Sequence, residues 1–256
     1  MTKPLLTYLG QTRTRVTPQH AFIAPDGHVE TPLSGWKKTS GILLISPQMG
    51  ARFTQYFAHM QSGGEGTPPL PEVERFIFVL NGTISIQTES DTFKLEPKGF
   101  AFFPAEEPHI ITATSEAKLN VLERRFIPSE NEEPLPLVLG NEEDVEAEPF
   151  LGDDNVWVKK FLPDDARFDM AVNTMNFKPG ATLPFAETHF MEHGMLMLSG
   201  GGIYRLGDDW YPIQEGDTLW MGPYCPQWFG ALGTETSSYL LYKEANRDVF
   251  RFEKES

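Results

Sequence analysis

The sequence predicts an all-β chain built as two tandem antiparallel barrels. Three observations carry this reading. Its 21 Pro and 22 Gly are spread through 256 residues without a period. Short alternating or apolar runs lie between these turn signals, while capped segments with helical periodicity are hard to find. Finally, the stretch 52–126 can be laid on the later part of the chain at an offset near 118, which puts Gly82 on Gly200, Pro108 on Pro226 and His109 on Gln227. A repeat of that size means two copies of one structural unit. The 40% hydrophobic content is enough for two cores.

Residues 1–50 read as an N-terminal arm with leading strands. Turn signals stand at Pro18, Pro25-Asp26-Gly27 and Pro32 to Gly35, followed by the apolar run Gly41 to Ser46. Residues 51–127 read as the first barrel. Here Phe53, Gln55 and Phe57 interleave with other residues, and the runs 75–80 and 83–88 flank Asn81-Gly82, a strong hairpin signal. The turn Pro97-Lys98-Gly99 separates the runs 93–95 and 100–103. Residues 128–155 form an acidic connection, with ten Asp or Glu and no Lys or Arg between Glu130 and Asp154. Its apolar insert Leu135 to Leu139 suggests a segment that packs along the barrels. Residues 156–256 repeat the strand pattern as a second barrel, whose mouth suits one small ligand.

A net charge of −15 opposes polyanionic partners, so neither nucleic acid nor an anionic membrane is expected. The single cysteine, Cys225, excludes an internal disulfide framework and reads as a buried structural thiol. Met1 to Gly10 lacks the pattern of a signal peptide, and no apolar run approaches a membrane span. A cytoplasmic protein is expected.

The chemistry concentrates between Gly180 and Gln227. Glu187, His189 and His193 are all odd-numbered, so on an extended strand they point to one side. One carboxylate and two imidazoles among Leu183, Phe185, Phe190 and Met195 suggest a metal site in a barrel. Mixed oxygen and nitrogen donors without thiolate suit Mn²⁺ or Fe²⁺, although ion selectivity is not readable from the donors alone. In the first copy the offset puts Arg75 at the place of His193, Pro71 at that of His189 and Pro69 at that of Glu187, which leaves His109 as the remaining donor. Glu72 and Glu74 stand near. The first barrel is expected to be structural.

Near the end of the chain, Tyr239, Leu241 and Lys243 share a strand face. If Leu241 faces the interior, so does Lys243, and a buried ammonium calls for an anionic partner. With the opposite parity Lys243 is an ordinary surface lysine. The residues alone leave both open.

Gly180, Glu187, His189, His193 and Gly200 occupy the places of the first cupin motif, with the ligand types permuted. Gly216 and Gly222 follow the second motif, with Gln227 in the place of its His. The set Glu, His, His, Gln resembles that of the (S)-ureidoglycine aminohydrolases of allantoin degradation, manganese-dependent bicupins, and the likeness extends to Tyr239 and Lys243. The resemblance implies two double-stranded β-helix domains and one Mn²⁺ per chain in the C-terminal barrel, held by Glu187, His189, His193 and Gln227. It further implies that Glu187, Gln227, Tyr239 and Lys243 bind a small anionic substrate, ureidoglycine, that Glu187 and Lys243 act in catalysis, and that the chain forms a homo-oligomer. Glu192, on the other strand parity, is not expected to take part. A cupin dioxygenase or decarboxylase, or a non-enzymatic bicupin, is the alternative.

Overall fold

The computed structural model describes residues 12–128 and 134–247. Met1 to Gly10, Glu130 and the end of the chain lie outside the described residues. Two strands open the chain, β1 (Arg15–Val16) and β2 (His20–Ile23). The first barrel comprises β3 (Glu30–Pro32), β4 (Trp36–Ile45), β5 (Thr54–Gly66), β6 (Val73–Asn81), β7 (Ile84–Gln87), β8 (Thr92–Leu95), β9 (Gly99–Phe103), β10 (Ile110–Ala113) and β11 (Ala117–Arg125). The connection contains β12 (Val138–Asn141) and β13 (Glu148–Phe150). The second barrel comprises β14 (Asp153–Lys160), β15 (Met170–Phe177), β16 (His193–Ser199), β17 (Gly201–Leu206), β18 (Asp209–Gln214), β19 (Thr218–Met221), β20 (Gln227–Ala231) and β21 (Ser237–Glu244). The fold is all-β, with barrels of antiparallel strands.

The hairpin expected at Asn81-Gly82 does not form. β6 pairs with β9 and β11, whereas β7 pairs with β8 and β10, so the chain turns a corner between the two halves of the barrel. Gly82 has φ +77°, and a Cβ there would stand 1.9 Å from the Glu116 carbonyl oxygen. The crossing backbone therefore requires glycine, for a sheet change rather than a two-residue turn. Gly200 repeats the device with φ +70°, between β16 and β17.

The described part of the arm, residues 12–50, divides between the barrels. β2 pairs with β19 in the second barrel, while β4 pairs with β5 in the first. All of His20–Ile23 is buried, so this short strand covers an edge that would otherwise be open. The acidic connection packs along both barrels where it is described. β12 pairs with β9 and β13 with β14, and buried Glu142 accepts a hydrogen bond from Thr174.

Three cores result. Met175, Met195, Met197, Phe229 and Tyr239 fill the second barrel, and Ile77, Ile84, Phe103 and Leu119 fill the first. Between them, Phe53, Phe76 and Phe100 meet Leu196, Trp220, Leu240 and Tyr242. Strands β16 and β21 are thus buried on both faces, with odd-numbered residues toward their own barrel and even-numbered ones toward the other. This parity puts Leu241 and Lys243 on the interior face. It also turns Glu192 toward the junction, where its carboxylate accepts from Trp220 Nε1 and from Arg52.

Candidate active site in the C-terminal barrel

The four expected donors gather around His189, with His193 and Gln227 within hydrogen-bond distance of its Nε2 and Glu187 farther off, but not from one extended strand. The chain between Leu183 and Glu192 is irregular, and only His193 begins a regular strand. Glu187 is held instead by an isolated bridge to Gln227, each N–H donating to the other's carbonyl at 2.8 and 2.9 Å. The backbone carbonyl of His189 accepts from Tyr224 N–H at 2.8 Å. A loop, a bridge and two strand starts therefore replace the simple alternation of a strand, because Pro184 and the bends around it break the extended run.

The imidazoles are oriented by the backbone. His189 Nδ1 lies 3.2 Å from the Met191 carbonyl and His193 Nδ1 lies 3.3 Å from the Tyr242 carbonyl. Carbonyl oxygens only accept, so each Nδ1 carries the proton and each Nε2 presents a lone pair. Those two lone pairs face one another across 3.2 Å. Neither can donate to the other. Two facing acceptors of this kind would be satisfied by a divalent cation that both hold.

The Gln227 amide is 2.9 Å from His189 Nε2, with its nitrogen toward the ring. A half-turn of the amide brings its oxygen to the same point without moving anything else. Glu187 Oε2 is 4.0 Å from His189 Nε2, and its carboxylate accepts no hydrogen bond from the described residues. Side-chain rotation of Glu187 is needed to close the set, and among the described residues no three His, Cys, Asp or Glu side chains converge on one point. The donors nevertheless fit a divalent ion in type: two neutral imidazoles, each fixed by a backbone carbonyl at its far nitrogen, one amide and one free carboxylate.

Burial holds His193 down to about 3, helped by His189 and Lys243, and also holds His189 below the ordinary histidine value. Both imidazoles therefore remain neutral near neutral pH. The Glu187 carboxyl is pushed up by burial, an effect opposed by Lys243. The Lys243 ammonium is held below the ordinary lysine value by burial and then by Lys160, with Asp164 and Glu187 opposing. Glu187, His189, His193, Leu241 and Lys243 line one cavity of about 390 Å³.

Lys243 makes no ion pair or hydrogen bond with the described residues. Tyr239 lies deeper, 1% exposed and absent from the cavity lining, with its hydroxyl 3.4 Å from Met175 Sδ. Cys225 is buried, and burial pushes its thiol up to about 11, as befits a structural role. Sequence reasoning passed over Asn173, which also lines the cavity. Its signal was a polar side chain at an odd position within the mostly apolar run Met170–Phe177.

The chain is similar to proteins of known name. A family profile described as a cupin domain matches residues 56–123. The probable (S)-ureidoglycine aminohydrolase of Oryza sativa subsp. japonica is 42% identical over 93% of this chain and 77% of its own length. The (S)-ureidoglycine aminohydrolase of Escherichia coli (strain K12) is 33% identical over 90% of this chain and 89% of its own. This chain belongs to the (S)-ureidoglycine aminohydrolase family. The solved structure of protein Ylba from E. coli is similar throughout, with a TM-score of 0.82, 30% identity, and 94% of this chain and 98% of that one covered. The cupin profile falls on the barrel without the donor set. The likeness to the aminohydrolases runs over nearly the whole chain and so takes in the C-terminal site.

Proposed function

We propose that the C-terminal cavity hydrolyses (S)-ureidoglycine to (S)-ureidoglycolate and ammonia, as the aminohydrolase relatives are named for doing. The observation that carries this reading is the facing pair of imidazole lone pairs beside an unpaired ammonium, in a cavity sized for one small molecule. Glu187, His189, His193 and Gln227 would hold one Mn²⁺. When bound, a divalent ion supplies Lewis acidity and lowers the pKa of a bound water.

The residues divide the remaining work. Lys243 pairs with the substrate carboxylate, a charge-assisted contact that offsets its own desolvation. In the net reaction water's oxygen bonds to the substrate carbon, the C–N bond breaks and its electron pair leaves with the amine. Water must lose a proton and the departing amine must gain one. Glu187, whose carboxyl is pushed up by burial, is placed to carry that proton, although a coordinated carboxylate is a weaker base than a free one. Tyr239, expected as a substrate contact, supports the floor beneath Leu241 in this conformation and reaches substrate only if its hydroxyl leaves Met175.

Homo-oligomeric assembly and a cytoplasmic location complete the proposal. They rest on the family likeness and, for location, on the single cysteine. Among the described residues no helix is long and apolar enough to cross a membrane. The test is ammonia release from (S)-ureidoglycine under anaerobic conditions by protein reconstituted with Mn²⁺. Oxygen-independent release that disappears after chelation supports the reading. Release that needs oxygen, or none at all, contradicts it.

A further inference from the structure

Strand registers arrange the interior of the second barrel in rows. His193, Lys243 and Ala171 lie side by side across β16, β21 and β15; the next row is Met195, Leu241 and Asn173, and the third is Met197, Tyr239 and Met175. In the second row Asn173 stands alone as a polar group. It is only 6% exposed, it lines the cavity with Glu187, His189, His193 and Lys243, and its amide has no hydrogen-bond partner among the described residues. Nearby amides behave differently: Asn246 donates to the Asp165 and Phe168 carbonyls, and Asn176 donates to Thr174. A buried amide with no protein partner destabilises the fold unless water or a ligand meets it. The cavity is where that partner must come from.

We propose that Asn173 is a specificity-determining residue that binds the ureido group of the substrate; this rests on the function proposed above. An asparagine amide presents an acceptor and a donor side by side. A ureido group offers the complement, an N–H and a carbonyl on one edge, so Oδ1 accepts from the first and Nδ2 donates to the second. A carboxylate only accepts and leaves Oδ1 unmatched. Asn173 and Lys243 are diagonal neighbours on adjacent antiparallel strands, about 7–8 Å apart at the backbone. Two side chains of such different reach can meet groups three bonds apart, as the ureido and carboxylate carbons of ureidoglycine are. Lys243 thus anchors the charge and Asn173 reads the urea.

The experiment compares the parent with Asn173→Leu, close in shape and without the amide, by calorimetry on Mn²⁺-loaded protein. Two probes are used: N-carbamoylglycine, which has ureido and carboxylate groups but no amine, and glycolate, which has a carboxylate and no ureido group. Expected is a loss of about tenfold or more in affinity for N-carbamoylglycine, with glycolate affinity within about twofold and metal content unchanged. The melting temperature should hold or rise, because no protein hydrogen bond is lost. Equal N-carbamoylglycine affinity in both proteins, or equal weakening of both probes, overturns the assignment. Should Asn173→Leu fail to fold, Asn173→Asp removes the donor at constant shape and must weaken N-carbamoylglycine by a similar factor or more; unchanged affinity overturns the proposal equally. Absence of ammonia release by the parent would contradict the reaction but leave this binding comparison readable.

Discussion

The two barrels share a scaffold and differ in how their interiors satisfy charge. Register places Arg75 in β6 opposite Phe103 and Glu123, as His193 in β16 stands opposite Met221 and Lys243. In the first barrel Arg75 is 2% exposed, its Nε is 2.7 Å and its Nη2 2.6 Å from Glu123 Oε1, and its Nη1 donates to the Thr67 carbonyl. His109 donates from Nδ1 to the Glu107 carbonyl and presents its Nε2 lone pair to Arg75 Nη1 at 3.2 Å. Burial holds His109 down to about 4, so it stays a neutral acceptor. In the second barrel the same tautomer recurs in His189 and His193, and among the described residues no guanidinium meets it and no carboxylate pairs with Lys243. A cation and anion built into the protein make a closed, structural interior. Where that pair is missing among the described residues, the interior is left open to the ion and substrate proposed above.

This contrast can be broken first at the structural barrel. Arg75→Met leaves His109 Nε2 without the Arg75 donor and Glu123 with the Tyr56 hydroxyl but no cation, and breaking a buried ion pair costs about 3–5 kcal/mol. Denaturant titration should show a loss in this range, discounted toward its lower end for the partial exposure of Glu123, with Mn²⁺ content near the parental value. A stable Arg75→Met protein would mean that the first barrel does not depend on its internal pair.

Lys243→Met tests the open barrel in the opposite sense. The charge-assisted contact to a substrate carboxylate is worth roughly 1.5–3 kcal/mol, so kcat/KM for ureidoglycine should fall about 10- to 150-fold. Thermal melting should hardly change, since the ammonium has no described partner to lose. Activity within about twofold of the parent would remove Lys243 from substrate binding.

A finer test concerns the donor that distinguishes this set. Gln227→His replaces an amide by an imidazole, which suits Zn, Cu and Ni, so competition titration should move preference away from Mn²⁺. An unchanged preference would mean that Gln227 is not a ligand. His109→Ala is expected to have the smallest effect on the metal, leaving its stoichiometry as in the parent, whereas a loss would locate binding in the first barrel.

Much of this contrast is legible in the sequence. The repeat offset pairs Arg75 with His193 and His109 with Gln227, and Gly and Pro mark most strand ends. The corner at Asn81-Gly82 is not legible, because a sheet change and a hairpin both ask for a positive-φ glycine and differ only in long-range pairing. The crossing of His20–Ile23 to the second barrel is equally hidden, since a buried four-residue strand carries no mark of which edge it covers. The parity of Lys243 stayed open because β21 is buried on both faces, so Tyr239-Leu240-Leu241-Tyr242 shows no polar alternation. Asn173 escaped for the same reason, as only the register with Leu241 shows that it faces the cavity. The irregular path from Glu187 to His193 still brings the donors together, since backbone hydrogen bonds to Gln227 and Tyr224 replace the strand that alternation assumed.

Metal analysis of the parent beside a His189→Ala, His193→Ala double variant decides whether metal and chemistry belong to the second barrel alone. The parent should hold about one equivalent of bound Mn²⁺ and release ammonia. In the folded double variant, with unchanged circular dichroism, both should fall to background. Retention of about one equivalent of metal by that variant would contradict this and move the site elsewhere in the chain.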